Sequence, residues 1–111
     1  MTRYIYIGHY PVKRGIVKIG ETTNLSKRKR DIARENGCEF VFDYVYAIDT
    51  DKAGALLVES IVRYAIARNT NAQHIGNDHF MRANRSECQK LFHKAVKTAE
   101  SDYNMEISRL I

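Results

Sequence analysis

The chain has 111 residues, 44% hydrophobic and 28% charged, which is one domain's worth of chain, too apolar for a disordered segment and long enough for a core without metal or disulfide staples. Eighteen Lys and Arg stand against thirteen Asp and Glu, a net charge of +5 that suits a polyanionic partner, because each phosphate neutralised by a cation releases counterions. There is no run of about 18 apolar residues, so no transmembrane helix and no membrane partner is expected.

Met1-Thr2-Arg3-Tyr4 leads straight into a strand-like pattern, without signal-peptide architecture. Cys38 and Cys88 are far apart and outside any C-x-x-C spacing, which points to a reducing, cytoplasmic setting. Arg3 to His9 is rich in aromatic and β-branched residues and predicts a strand. Tyr10 to Gly15 holds the only proline and reads as a turn, and Ile16 to Gly20 as a second strand, which together make an antiparallel hairpin.

Thr22-Thr23-Asn24 offers helix caps, and a helix is predicted over Leu25 to Asn36 with Gly37 as its stop. Its apolar stripe is thin, and Lys27, Arg28, Lys29, Arg30 and Arg34 give it a strongly cationic face. Such a face is either simply solvated or a phosphate contact, and the density favours phosphate, because arginine's fork matches phosphate oxygens.

Phe40 to Ile48 is apolar on both sides, as a central strand would be. Asp49-Thr50-Asp51 caps the next helix, where Ala53, Leu56, Leu57, Ser60, Ile61 and Tyr64 form one stripe and Ala55, Val58, Val62 and Ile66 cover much of the other side. Asn69 to Asn84 reads as a long polar loop, a kind that is usually functional or mobile. Asn84 caps the last helix with Glu87 as capping-box partner, and Cys88, Leu91, Phe92, Ala95 and Val96 form its buried face. The order is β-β-α-β-α-α: an α+β domain over residues 1–100, with a small three-stranded antiparallel sheet flanked by helices, then a polar C-terminal tail over 101–111.

Several residues could carry chemistry. Glu59 shares one narrow helix stripe with Lys52 and Arg63 among apolar neighbours. A carboxylate there is either an i, i+4 partner of Arg63 or a metal ligand at a cleft edge. Tyr4 and Tyr6 alternate onto one strand face, as half-buried strand tyrosines or as a general base or water-orienting group. Lys18 interrupts an apolar strand and either snorkels at a sheet edge or points into a polar site. His74, Asp78 and His79 could ligate zinc, though their spacing matches no firm template, and His9 could face the same cleft. No Walker A, nucleophile-elbow or H-E-x-x-H motif occurs.

Tyr4-Ile5-Tyr6-Ile7 followed by Val17-Lys18-Ile19-Gly20-Glu21-Thr22-Thr23-Asn24-Leu25, with Arg28, Glu59 and Asn77-Asp78-His79-Phe80 beyond, resembles the GIY-YIG nuclease superfamily. It looks most like the branch, common in phages and bacteria, whose second motif reads Lys-Ile-Gly. The likeness spans roughly Arg3 to Glu100, and Asn84 loosely matches a late structural asparagine. It implies phosphodiester hydrolysis with one divalent metal, Mg2+ or Mn2+. Glu59 would hold the metal, Arg28 would contact the scissile phosphate, and Tyr6, with Tyr4 close behind, would serve as or help the general base. Three positions differ from the pattern: the first-motif glycine is missing, Lys18 replaces a tyrosine, and Arg63 replaces a histidine after the second-helix glutamate.

The expected activity is therefore a metal-dependent endonuclease on DNA, or RNA, of low sequence specificity. Tyr6, Arg28, Glu59, Lys18 and Tyr4 would form the catalytic set, and Lys27, Lys29, Arg30 and Arg34 would track the backbone. The altered motifs also support a binding module on the same fold that grips nucleic acid or inhibits a host protein without cleaving. Monomer and homodimer are both compatible with the sequence.

Overall fold

The computed structural model describes residues 1–76 and 79–111; Asn77 and Asp78, the latter named above as a possible zinc ligand, lie outside the described residues. The chain begins with a hairpin, β1 (Thr2–Tyr10) and β2 (Lys13–Thr22), followed by α1 (Leu25–Asn36), β3 (Val41–Asp49) and α2 (Lys52–Asn69). Two short strands, β4 (Gln73–Ile75) and β5 (His79–Met81), precede α3 (Arg85–Asp102), and β6 (Ile107–Arg109) closes the order. The strands form one sheet in the order β4-β5-β2-β1-β3-β6, every adjacent pair antiparallel.

This corrects the expected three-stranded sheet in β-β-α-β-α-α order: the described residues build a six-stranded antiparallel sheet with three helices. The missed strands share a cause. Each has three residues, too few for an alternating pattern to register. All three residues of β4 are exposed, so it holds its place by pairing with β5. β5 is anchored by the fully buried Phe80, opposite Val17 of β2. The segment read as a tail also does structural work. α3 continues to Asp102, and β6 pairs with β3 at Tyr46, Ala47 and Ile48.

Alternation in β1 sends its side chains to two separate cores. Ile5 and Ile7 join Val17, Ile19 and Ile48 under α2 and α3. Tyr6 and Tyr10 join Phe40, Val45 and Ile32 of α1 on the other side. Helices thus cover both faces of the sheet, which is why β1 and β3 are apolar nearly throughout. Only Ile32 of α1 is fully buried, in keeping with its thin apolar stripe. Asn24 caps α1 by accepting from the Lys27 amide, and Gly37 ends it in the left-handed conformation at φ +66, where a side chain would be strained.

The buried stripe of α2 is Ala55, Val58, Glu59, Val62 and Ile66. Leu56, Leu57 and Tyr64, from the stripe read first, are exposed. The helix is therefore not buried all round. Residues of both stripes repeat at helical spacing, and only the packing partner selects between them. Asn84 caps α3 by accepting from the Glu87 amide at 2.9 Å, and Cys88, Phe92, Ala95, Val96 and Ala99 face the core.

Candidate functional site

The pairing between β2 and β5 covers Val17 and Lys18. Beyond it, where β2 runs on through Gly20 to Thr22, lies a cleft of about 530 Å3. Tyr6 from β1, Gly20 to Thr23 from β2 and its turn, Arg28 from α1, and Lys52, Leu56 and Glu59 from α2 line it, with Arg3 at its side. Three residues far apart in sequence and singled out from it, Tyr6, Arg28 and Glu59, therefore line one cleft.

Gly20 makes this convergence possible. A Cβ there would fall 2.3 Å from the Tyr6 hydroxyl and 2.5 Å from Cζ of its ring. No side chain fits, so the Tyr6 phenol crosses its β2 partner, with which it is paired in register, toward the cleft. The ring is fixed edge-to-face against Phe40 and Phe42. Tyr6 is fully buried, and its hydroxyl accepts a hydrogen bond from Arg28 Nε at 3.3 Å.

Burial opposes the charge on Arg28, but the hydrogen bond to Tyr6 and the charges of Tyr6, Glu35 and Asp31 outweigh it, and its pKa rises further. The result is a fixed, permanently cationic fork at the cleft wall. Across from it, Glu59 is only 4% exposed. Its Oε1 lies 3.8 Å from Arg63 Nε, so the i, i+4 neighbour expected from the sequence is present at the edge of ion-pair range. The second carboxylate of the cleft, Glu21, is tied to Arg3 by contacts of 2.8 and 2.9 Å to Nη2 and Nε.

The remaining candidates are placed elsewhere. Tyr4 is half-buried, packs on the α1-side core and does not line the cleft. Lys18 is 3% exposed and stands in register between Gly8 and His79, also away from the cleft lining. His79 Nε2 is 2.6 Å from the Tyr10 hydroxyl, and burial, the largest cause, pushes that phenol up to about 12. Tyr10 therefore keeps its proton. His9 Nδ1 meets Asp43 Oδ2 at 3.0 Å, and His74 packs beside Phe80. Each described histidine of the zinc reading thus has an organic partner. Among the described residues, no group of three or more His, Cys, Asp or Glu could hold a metal.

On α1, Lys27 and Arg34 both pair with Asp31, at 2.8 and 3.0 Å, and Lys29 and Arg30 are exposed. The Lys27 hydrogen bond is the main reason the Asp31 carboxyl is held below its usual range. The basic face is thus partly neutralised by its own carboxylate. Sequence reasoning missed the Arg3–Glu21 pair and Lys52 as cleft residues. The hairpin register that brings Arg3 to Glu21 leaves no local mark. Lys52 could have been found, since it lies on the Glu59 stripe.

No curated protein matches the chain. No solved structure matches it either. No helix among the described residues is long and apolar enough to cross a membrane. Residues 3–102 match the T5orf172 domain, a different family from GIY-YIG, and that match overturns the resemblance drawn from the Lys-Ile-Gly run. The structure explains why the run misleads. Gly20 is required by the Tyr6 ring, Thr22 Oγ1 accepts from the Asn24 amide, and Asn24 caps α1. Each of these residues thus has a role in the local structure of this chain. Nearly the whole chain is covered by the match, which is compatible with a nucleic-acid-related role, and the protein belongs to the T5orf172 domain family.

Proposed function

We propose that this domain binds nucleic acid at the cleft and hydrolyses a phosphodiester bond there with a divalent cation. The observation that carries the reading is the convergence of Tyr6, Arg28 and Glu59 on one cleft. Arg28 supplies a guanidinium fork for the phosphate oxygens, and Tyr6 orients it through Nε. As charge grows on the phosphoryl oxygens, a donor already in place needs no reorganisation to stabilise it. Water adds to phosphorus, one bridging P–O bond breaks, and the leaving oxygen takes up a proton. Low sequence specificity is expected, because the cleft presents charge and hydroxyls to a backbone, which carries no base information.

Glu59 suits a cation of the magnesium or manganese type. Magnesium is ordinarily held by one or two carboxylates together with substrate phosphates, so a single buried carboxylate lining the cleft fits. When bound, such an ion polarises the phosphoryl oxygens and lowers the pKa of a water. Glu59 would hold it, with Glu21 engaged by Arg3.

One observation favours the second reading, a module that grips nucleic acid without cutting it. Tyr6 is fully buried, so its hydroxyl meets Arg28 and not solvent. A plasmid-nicking assay separates the two. Wild type is expected to nick supercoiled DNA with magnesium and not with EDTA, and Glu59→Gln to lose that activity while retaining binding. Salt-dependent binding with no nicking in any divalent metal would establish the second reading.

A further inference from the structure

A second cationic pocket lies at the far end of the β1–β2 hairpin. Its volume is about 430 Å3, and it is lined by Lys13 and Arg14 of the hairpin, by Arg85 at the start of α3, and by Gly15, Val17 and Ala83 among others. The three cations come from two elements, and one hydrogen bond, from the Ala83 amide to the Gly15 carbonyl at 2.9 Å, staples those elements together. Lys13 Nζ sits 5.3 Å from the centre of the Tyr10 ring, which stiffens an otherwise mobile side chain. The nearby carboxylate, Asp43, is engaged by His9 at 3.0 Å and by Arg85 at 3.7 Å. Lys13 and Arg14 are exposed and appear in no ion pair with it.

Val17 lines this pocket and Gly20 lines the cleft, both on β2. Three residues of strand separate them by about 10 Å. The cations Lys13 and Arg14 lie further along the same strand, so one extended backbone passing both sites would place different phosphates at each.

We propose that the Lys13–Arg14–Arg85 pocket is a second phosphate subsite, which takes a different backbone phosphate of the same nucleic acid from the one at Arg28. It rests on the reading of the cleft as a nucleic-acid site. Its role is to set the direction in which the strand crosses the cleft. It is a binding site and takes no part in bond breaking.

The test is fluorescence anisotropy with a labelled 20-base-pair duplex, with affinity measured across a salt series. Each phosphate contact contributes about 0.9 to the slope of log affinity against log salt concentration. Lys13→Ala/Arg14→Ala and, separately, Arg85→Ala are expected to lower that slope by about 1, with Arg14→Lys close to wild type. Lys94→Ala/Lys97→Ala removes the same charge from α3, at least nine residues and about 13 Å beyond Arg85, and is expected to leave the slope unchanged. Thermal melts check that each variant is folded. An unchanged slope in the hairpin and Arg85 variants, or an equal drop in the Lys94/Lys97 control, overturns the subsite and leaves the cleft reading standing. Failure of the wild type to bind the duplex at any salt concentration overturns both.

Discussion

The phenol of Tyr6 lies across Gly20 so closely that a Cβ on the glycine would meet its hydroxyl at 2.3 Å. These two residues face each other in the β1–β2 register, and the empty position at Gly20 is what lets a core tyrosine reach the cleft. Gly20→Ala is therefore expected to force the ring aside. The cost should be about 1–3 kcal/mol, as for overpacked core sites, read by urea denaturation. In a Tyr6→Ala background the same change should cost almost nothing, because the obstructing atoms are gone. Equal costs in both backgrounds would show that the ring is not what excludes a side chain there.

Arg28 is distinguished from its cationic neighbours by one contact, its Nε donated to Tyr6. Arg28→Lys keeps the charge and loses the fork. Stability should change by no more than about 1 kcal/mol, the usual worth of one hydrogen bond. Cleavage should fall roughly 10²-fold, as when one oxyanion donor is removed. Lys27→Ala and Arg34→Ala alter only exposed pairs with Asp31, and their stability effects should be close to zero. A lysine variant with wild-type activity would mean that charge alone matters at this position.

Tyr10 supplies a pH signature. Burial is the main reason its pKa rises to about 12, with Cys38, Tyr6 and Glu35 adding to it and Arg28 opposing. The neutral phenol is favoured in the folded state, so this contribution is fully present below the unfolded value of 10.0 and is lost as pH rises toward about 12. Denaturant titrations should show stability declining over that window, and Tyr10→Phe should flatten the decline. An identical profile in Tyr10→Phe would assign the alkaline loss to other groups.

The segment after α3 is part of the sheet. β6 pairs with β3, the Leu110 amide donates to the Val45 carbonyl at 2.8 Å, and Met105 and Ile107 pack on the larger core. Removing residues 103–111 should cost about 2 kcal/mol, roughly one fully buried apolar side chain's worth for two partly buried ones and their pairing. Thermal unfolding of the shortened chain measures it. Unchanged stability would show that β3 does not need this neighbour.

What could be read from the sequence followed the strength of local signals. The elements with long periodic patterns, α1, β3, α2 and α3, were legible with their caps, Asn24, Asp51 and Asn84. β4, β5 and β6 were not, since three-residue strands are held by their neighbours and not by their own pattern. Phe80, a lone buried aromatic in a polar stretch, was the one clue to β5. At the site, Glu59 stood out as a carboxylate in a costly place, whereas Arg28 was separated from its cationic neighbours only by the resemblance. Strand alternation alone did not separate Tyr6 from Tyr4, because both fall on one face, and only the resemblance put Tyr6 first. Only Gly20, two residues beyond Lys18, decides which ring reaches the cleft. Lys18 drew notice as a buried cation in an apolar strand, yet its neighbours are Gly8 and His79.

The most direct test of the cleft as one working site is a single-turnover cleavage assay on a labelled duplex with magnesium, comparing wild type, Arg28→Ala, Glu59→Gln and the double variant. Residues that act as a unit are strongly non-additive. Each single variant is therefore expected to lose most of the cleavage, and the double variant to be no slower than the worse single one. Losses that multiply in the double variant, wild-type rates in either single variant, or no cleavage by the wild type would each contradict a shared phosphodiester site at Tyr6, Arg28 and Glu59.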